Sequence, residues 1–256
     1  MPGAVAGNVA GSVADVWSGA SYERIGETYA SIHDRIVAAL AIGRGTRVLD
    51  VACGTGGVAL RATRAGATVT GIDISADQLA KARRAANAAG LEMQFDEGDC
   101  QELPYAEAEF DAVASAFGAI FASEQERTAT ELARVCRPTG RLALTAWTSD
   151  EWSTANVRAG RTYSEGADPY DWATEAHVRA LLGSAFDLEF QTGGWRIEAN
   201  SATELWELLS TSMPPLRAWL AEQSEEARKH AEQVYLDYLE PGVLERNYLL
   251  VLGTRR

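Results

Sequence analysis

Between Thr46 and Trp147 short β-branched apolar runs alternate with longer stretches of helical periodicity, and this alternation constrains the fold more than any other feature of the chain. The runs Arg47–Val51, Thr68–Ile72, Met93–Asp96, Phe110–Ala116 and Arg141–Ala146 are expected as strands. Between them, residues such as Leu79, Ala82, Ala86 and Ala89 recur at the spacing of one helix face. Ser75 with Gln78, and Ser123 with Glu126, have the spacing of a capping box and are expected to open helices. Strands separated by helices run parallel and must be covered on both faces, so the expected class is α/β, a Rossmann-like, mostly parallel sheet with helices on both sides. Ligands of such sheets bind beyond the carboxyl ends of the strands.

The flanks read differently. Residues 13–42 are expected as one or two helices rich in aromatics (Trp17, Tyr22, Tyr29), a cover placed before the first strand. Beyond Trp147 an irregular stretch leads to a helix near Thr174–Leu182 and a strand near Asp187–Gln191, and Ser201 with Glu204 opens a further helical region. Residues 201–245 hold three basic and nine acidic residues, which suggests an acidic helical lid, and Asn247–Leu252 is expected as a closing strand. The expected division is a cover at 1–42, a ligand-binding core at 43–200 with a substrate-side insertion at 148–172, a lid at 201–243 and a closing strand at 244–256.

Composition narrows the function. A chain of 256 residues buries roughly three quarters of its unfolded surface and needs no disulfide or metal staple. A net charge of −13 without a basic stripe disfavours nucleic acid. Cys53, Cys100 and Cys136 lie far apart, with no CxxC and no HxxxH, so no metal site is expected. The first residues lack the charged start of a signal peptide and no apolar run is long enough to span a bilayer, so a cytoplasmic protein, monomer or homodimer, is expected.

The segment VLDVACGTGGVAL, Val48 to Leu60, carries the chemistry. A strand ends at Asp50–Val51, a turn with Gly54, Gly56 and Gly57 follows, and a helix begins. Such a turn lets backbone amides approach a ligand beside the positive end of the helix dipole. By itself it is ambiguous, because Gly54, Gly56 and Ala59 also satisfy the dinucleotide pattern GxGxxA. Asp73, in GIDIS, lies 23 positions after Asp50 at the end of the second strand, where a carboxylate can accept both ribose hydroxyls. Asp99, in EGDCQELPY past the third strand, can accept from an adenine amino group. Three acids at three successive strand ends suit an adenosine ligand that brings no pyrophosphate.

With these residues the chain resembles the class I S-adenosylmethionine-dependent methyltransferases, in particular those similar to the ubiquinone and menaquinone biosynthesis enzymes. VLDVACGTGG resembles their first motif, with Ala52 in place of the commoner glycine, and GDCQELPYAEAEFDAV resembles their adenine-binding segment. SAFGAIFASEQERTATELARVCRPTGRLALTAW resembles the following strand, helix and strand, with Thr139 departing from the usual Pro-Gly-Gly turn. The resemblance implies a seven-stranded sheet in the order 3-2-1-4-5-7-6 with the last strand antiparallel. It implies that Ala52, Cys53 and Gly54 border the methionine part of the cofactor, that Asp50 reaches its amino group, and that Asp73 holds the ribose while Ile74 packs on the adenine. Asp99 and the amide of Cys100 would read the adenine edge, and Ala116 with Phe117 would cover the methionine side. Gly56, Gln78, Gln101 and Phe121 complete the expected set. Cys53 and Cys100 are expected to act through their backbone.

Tyr22 and Tyr29, seven apart and expected on one helical face, are placed to shield the sulfonium or merely to pack the helix on the sheet. Among the scarce bases, His33 and then His177 are the candidates for a proton-accepting role, with His230 third. Trp152, Tyr163, Tyr170, Trp172, Trp195, Trp206 and Trp219 are candidates to line an apolar acceptor pocket. The leading expectation is a methyltransferase acting on the O, N or C atom of a small apolar or aromatic metabolite. An NAD-dependent oxidoreductase and a non-catalytic cofactor-binding module remain as alternatives. The acidic lid points to a neutral or cationic acceptor.

Overall fold

The run Arg47–Val51 forms the first strand, β1, and from Val48 to Val51 every residue is buried, as a strand covered on both faces requires. The computed structural model describes residues 13–18, 22–163 and 168–256. The remaining strands are β2 (Thr68–Asp73), β3 (Gln94–Glu97), β4 (Phe110–Ala116), β5 (Cys136–Trp147), β6 (Phe186–Glu198) and β7 (Val243–Arg255). They form one seven-stranded sheet in the order β3-β2-β1-β4-β5-β7-β6. The first five are mutually parallel, and β7 runs antiparallel between β5 and β6.

Before the sheet come α1 (Val13–Trp17), α2 (Tyr22–Gly26), a 3₁₀ turn at Glu27–Tyr29 and α3 (Ala30–Ala39). Helices α4 (Gly57–Arg64), α5 (Ala76–Ala88) and α6 (Gln125–Val135) connect the parallel strands. Right-handed crossovers carry the chain from β1 towards β3 through α4 and α5 and from β4 to β5 through α6, which puts these helices on opposite faces. After β5 follow α7 (Glu151–Arg158), a 3₁₀ turn at Pro169–Ala173 and α8 (Glu175–Leu182). Helices α9 (Ala202–Ser212), α10 (Pro214–Glu222) and α11 (Glu225–Leu239) lie between β6 and β7.

The helix starts differ in detail from the spacing argument. Ser75 caps α5 by accepting the Gln78 N–H, but the Gln78 side chain donates to the Trp17 carbonyl at 2.9 Å instead of returning to Ser75. Ser123 is not the cap of α6, because Glu124 holds that position and the Ser123 hydroxyl donates to Gln101. The reciprocal capping box is at Asp150 and Ser153, opening α7. Strands β6 and β7 are far longer than their apolar centres. Pairing continues from Phe186↔Arg255 to Glu198↔Val243, through residues too polar to register as an apolar run.

Strand order reverses between β1 and β4, and there the loops leaving the two strands part to form a crevice. Ala52 and Phe117, one after each strand, both adopt the left-handed backbone, with φ of 52° and 60°. Gly118 has no side chain to spare: a Cβ there would fall 2.5 Å from the Ala52 Cβ and 2.6 Å from its carbonyl oxygen. Backbone strain at these two residues is held by neighbours, since the Phe117 N–H donates to the Thr145 hydroxyl at 3.1 Å and the Cys53 N–H to the Ile72 carbonyl at 3.0 Å.

Candidate active site

The crevice is the mouth of a cleft of about 1540 Å³, counted out to bulk solvent. Three acids line one end of it. Asp50, on β1, is buried and accepts the Ala59 N–H from the first turn of α4 at 2.9 Å. Burial pushes its carboxyl up to about 7, against the opposing pull of that hydrogen bond. Asp73, at the end of β2, accepts the Gly54 N–H at 2.7 Å and the Ser75 N–H at 2.9 Å, and burial outweighs these bonds and raises its carboxyl. Asp99 accepts the Gln101 N–H at 2.8 Å and the Gln101 side-chain amide, whose carbonyl in turn accepts the Glu124 N–H at 2.7 Å.

The glycines of the loop divide their tasks. Gly54 has φ of 53° and lies under the Tyr22 ring, with which a Cβ would make contact at 3.6 Å. Gly57 makes room for the His33 imidazole of α3, since a Cβ there would stand 2.3 Å from the His33 Cε1. Gly56 does not border the cleft. It starts α4 at φ 82°, and its bare face packs on Ala82 and Phe95 beneath the loop, so its placement in the cofactor set is corrected. The other residues singled out around the cofactor, from Tyr22, Tyr29, Ala52 and Cys53 to Ile74, Gln78, Cys100, Gln101, Ala116, Phe117 and Phe121, all face the cleft. Tyr22 and Tyr29 do so from α2 and the 3₁₀ turn, not from one continuous helix. Burial pushes the Cys100 thiol up to about 12 and the Cys53 thiol up as well, so neither is a thiolate at neutral pH.

The two leading histidines separate. His33 is buried on the cleft wall with its Nδ1 lacking any partner among the described residues, and burial beside Arg61 pulls it down to about 4. It is neutral near pH 7, an acceptor for a bound donor and too weak a base to carry a proton efficiently. His177 does not face the cleft: it hydrogen-bonds Gln125 at 2.6 Å, and Gln125 donates to the Asp168 carbonyl, so His177 fastens the segment that carries Tyr170. His230 lies against the Arg158 carbonyl at the end of α7.

Of the seven aromatics, Trp152, Tyr163 and Tyr170 reach the cleft, while Trp172, Trp195, Trp206 and Trp219 are core residues outside it. Trp195 donates to Thr28 and Trp206 stacks on Tyr235. Unforeseen from the sequence are Trp147, Arg161 and Arg246 at the end of the cleft away from the acids. Phe117 stacks on Trp147 with ring centroids 3.9 Å apart, and the Arg246 guanidinium lies 4.6 Å over the other ring of that pair, Trp147. Arg246 also pairs with Asp150 at 3.0 Å. Its placement had a sequence signal: in the alternation of β7 it shares the buried side with Leu244 and Tyr248. Arg161 and Trp147 had none, since Arg161 follows the end of α7 and Trp147 is the last residue of β5.

Among the described residues no group of three or more His, Cys, Asp or Glu side chains is arranged to hold a metal ion, and no helix is long and apolar enough to cross a membrane.

A crevice at the strand reversal with carboxylates on three successive strand ends defines a nucleoside-binding α/β protein. Asp50 argues against the dinucleotide reading, because its carboxyl already takes a first-turn amide of α4. Residues 48–140 match the family model described as a methyltransferase domain. The chain is 34% identical to the uncharacterized protein Rv1405c of Mycobacterium tuberculosis over 90% of its own length and 89% of that protein. It is 45% identical to the demethylmenaquinone methyltransferase of Thermus thermophilus over 38% of its own length and 46% of that enzyme. The YcgJ protein of Bacillus subtilis shares the fold, with a TM-score of 0.63 at 19% identity over 88% of this chain and 97% of that one. The chain belongs to the class I S-adenosylmethionine-dependent methyltransferases.

Proposed function

We propose that the protein methylates an O, N or C atom of a small metabolite seated between Trp147, Trp152, Tyr170 and the start of α10 at residues 213–216, with the cofactor along the three acids. The observation that carries this reading is the polarity of the cleft. Asp50, Asp73 and Asp99 gather at the β1–β3 end, and aromatic rings with two arginines gather at the β5 and β7 end. The residues present fit the cofactor: buried His33 Nδ1 and Gln78 Oε1 lack partners on the cleft wall, and a carboxylate at Asp73 can accept ribose hydroxyls.

When bound, S-adenosylmethionine supplies an electrophilic methyl group on a sulfonium. The charge is lost in the transfer, so the protein's task is to hold the acceptor in line and to exclude water. Tyr29, Phe117 and Trp147 form an aromatic wall with centroids 3.9 to 5.8 Å apart, dry enough for that purpose and suited to face a cation. His33 accepts a hydrogen bond from the bound molecule, and no side chain of the cleft is assigned as a proton carrier. The apolar rings favour a flat or apolar acceptor.

Calorimetric titration with S-adenosylhomocysteine and NAD, followed by a labelled-methyl screen over metabolite extracts, tests the proposal. Binding of the first ligand and label transfer to a small molecule are expected. Binding without transfer to any fraction of the extract would instead support a non-catalytic module.

A further inference from the structure

Arg161 is only 3% exposed, lines the cleft, and pairs with no carboxylate among the described residues. Its Nη1 donates to Asn156 Oδ1 at 3.2 Å, while its Nε–H has no partner among the described residues. The Tyr163 ring lies 5.5 Å from the guanidinium carbon. A cation–π contact offsets only a small part of the desolvation penalty of a buried ion. The surroundings are built to keep the group where it is. Asn156 Oδ1 also accepts the Tyr235 hydroxyl at 2.6 Å, and Asn156 Nδ2 donates to the Tyr170 hydroxyl at 3.2 Å. That last bond uses Tyr170 as an acceptor, so the Tyr170 O–H is directed elsewhere as a donor.

Building on the proposed methyl transfer, we propose that the acceptor carries a carboxylate and that Arg161 binds it. The Nε edge of a guanidinium fork grips a carboxylate side-on with two parallel hydrogen bonds, and the Nε–H of that edge has no acceptor among the described residues. The charge count selects a monoanion. Arg246 is neutralised by Asp150 at 3.0 Å, so among the described residues the arginine pair of this end contributes one uncompensated positive charge. Among the described residues a phosphate dianion would find one cation without a carboxylate partner, and an amine would meet a buried cation of its own sign. The acidic lid does not oppose this, because screening confines surface charge to about 8 Å at physiological salt. The expectation of a neutral or cationic acceptor, drawn from net charge, is therefore replaced.

The test titrates 2-naphthoate and its neutral partner 2-naphthamide into the enzyme, with and without saturating S-adenosylhomocysteine. The naphthoate is expected to bind at least tenfold more tightly than the amide. Arg161→Met is expected to bring the two within twofold while leaving S-adenosylhomocysteine affinity unchanged. Equal affinities in the native protein, or no binding of naphthoate, overturn the proposal. So does an equal loss of S-adenosylhomocysteine and naphthoate in Arg161→Met, which would assign Arg161 to the carboxylate of the cofactor. Should Arg161→Met fail to fold, Arg161→Lys is expected to weaken naphthoate at least threefold and leave the amide unchanged, and equal loss of both overturns it. Absence of S-adenosylhomocysteine binding to the native protein counts against the cofactor assignment alone, since the naphthoate comparison is also made without it.

Discussion

Asp73, at the end of β2, accepts the backbone N–H of Gly54 at 2.7 Å, so one carboxylate ties the glycine loop of β1 to the neighbouring strand. The same carboxylate takes the Ser75 N–H that precedes α5. The proposed ribose acid is thus also a fastening of the crevice floor.

Asp73→Ala is expected to act twice. Loss of a charge-assisted contact should weaken S-adenosylhomocysteine at least tenfold, about 1.4 kcal/mol, and two orphaned amides should lower stability by about 1–3 kcal/mol. Calorimetry and urea denaturation separate the two. Unchanged affinity beside reduced stability would leave Asp73 as a fastening only.

Asp50 gives a pH dependence. Its carboxyl is raised to about 7 from an ordinary 3.8, so the folded protein holds this proton through a window in which the unfolded chain has released it. Stability therefore falls as pH rises from about 4 to about 7 and levels off above. A cationic amino group of the cofactor requires the ionised form, so S-adenosylhomocysteine affinity should fall below pH 7, by at most about tenfold per unit. Asp50→Asn should bind weakly with a flat profile between pH 5.5 and 8. A flat profile in the native protein would contradict the contact.

The two histidines should respond differently. His177→Ala removes a fastening outside the cleft and should cost about 1 kcal/mol of stability with S-adenosylhomocysteine binding unchanged. His33→Phe removes a cleft acceptor and should weaken that binding. It should also flatten the thermal-unfolding profile in acid. Because His33 is depressed to about 4 from 6.5, its contribution to stability is complete above pH 6.5 and is lost as pH falls towards 4.

Asp150 caps α7 and neutralises Arg246. Asp150→Ala leaves a buried guanidinium unpaired and should cost about 3–5 kcal/mol. Adding Arg246→Met should restore part of that loss, so the double variant is more stable than Asp150→Ala alone. Chemical denaturation of the four species measures the coupling, and strict additivity would show that the pair contributes nothing.

The parallel half of the sheet was legible because its signals are local. The strand runs of β1 and β4 coincide with the observed strands, and the three acids and the glycine turn lie at strand ends fixed by those runs. The ends of β6 and β7 were not, since their polar outer residues pair only because the partner strand is there. Gly56 and Gly57 show the same limit within a single turn. The sequence marks both as glycines, and only the packing of Phe95 below and His33 above decides which one faces the ligand.

From the sequence alone follow the α/β alternation and the strand-end acids, because hydrophobic period and turn chemistry are written in neighbouring residues, while the cofactor class is what the resemblance of its motifs to a known family implies. The charge at the acceptor end belongs to the tertiary structure. Arg161 and Arg246 stand 85 positions apart in a chain of net charge −13, yet the folding of α7 against β7 sets both at one end of the cleft. Burial, which no composition reports, leaves one of them without a counter-ion among the described residues.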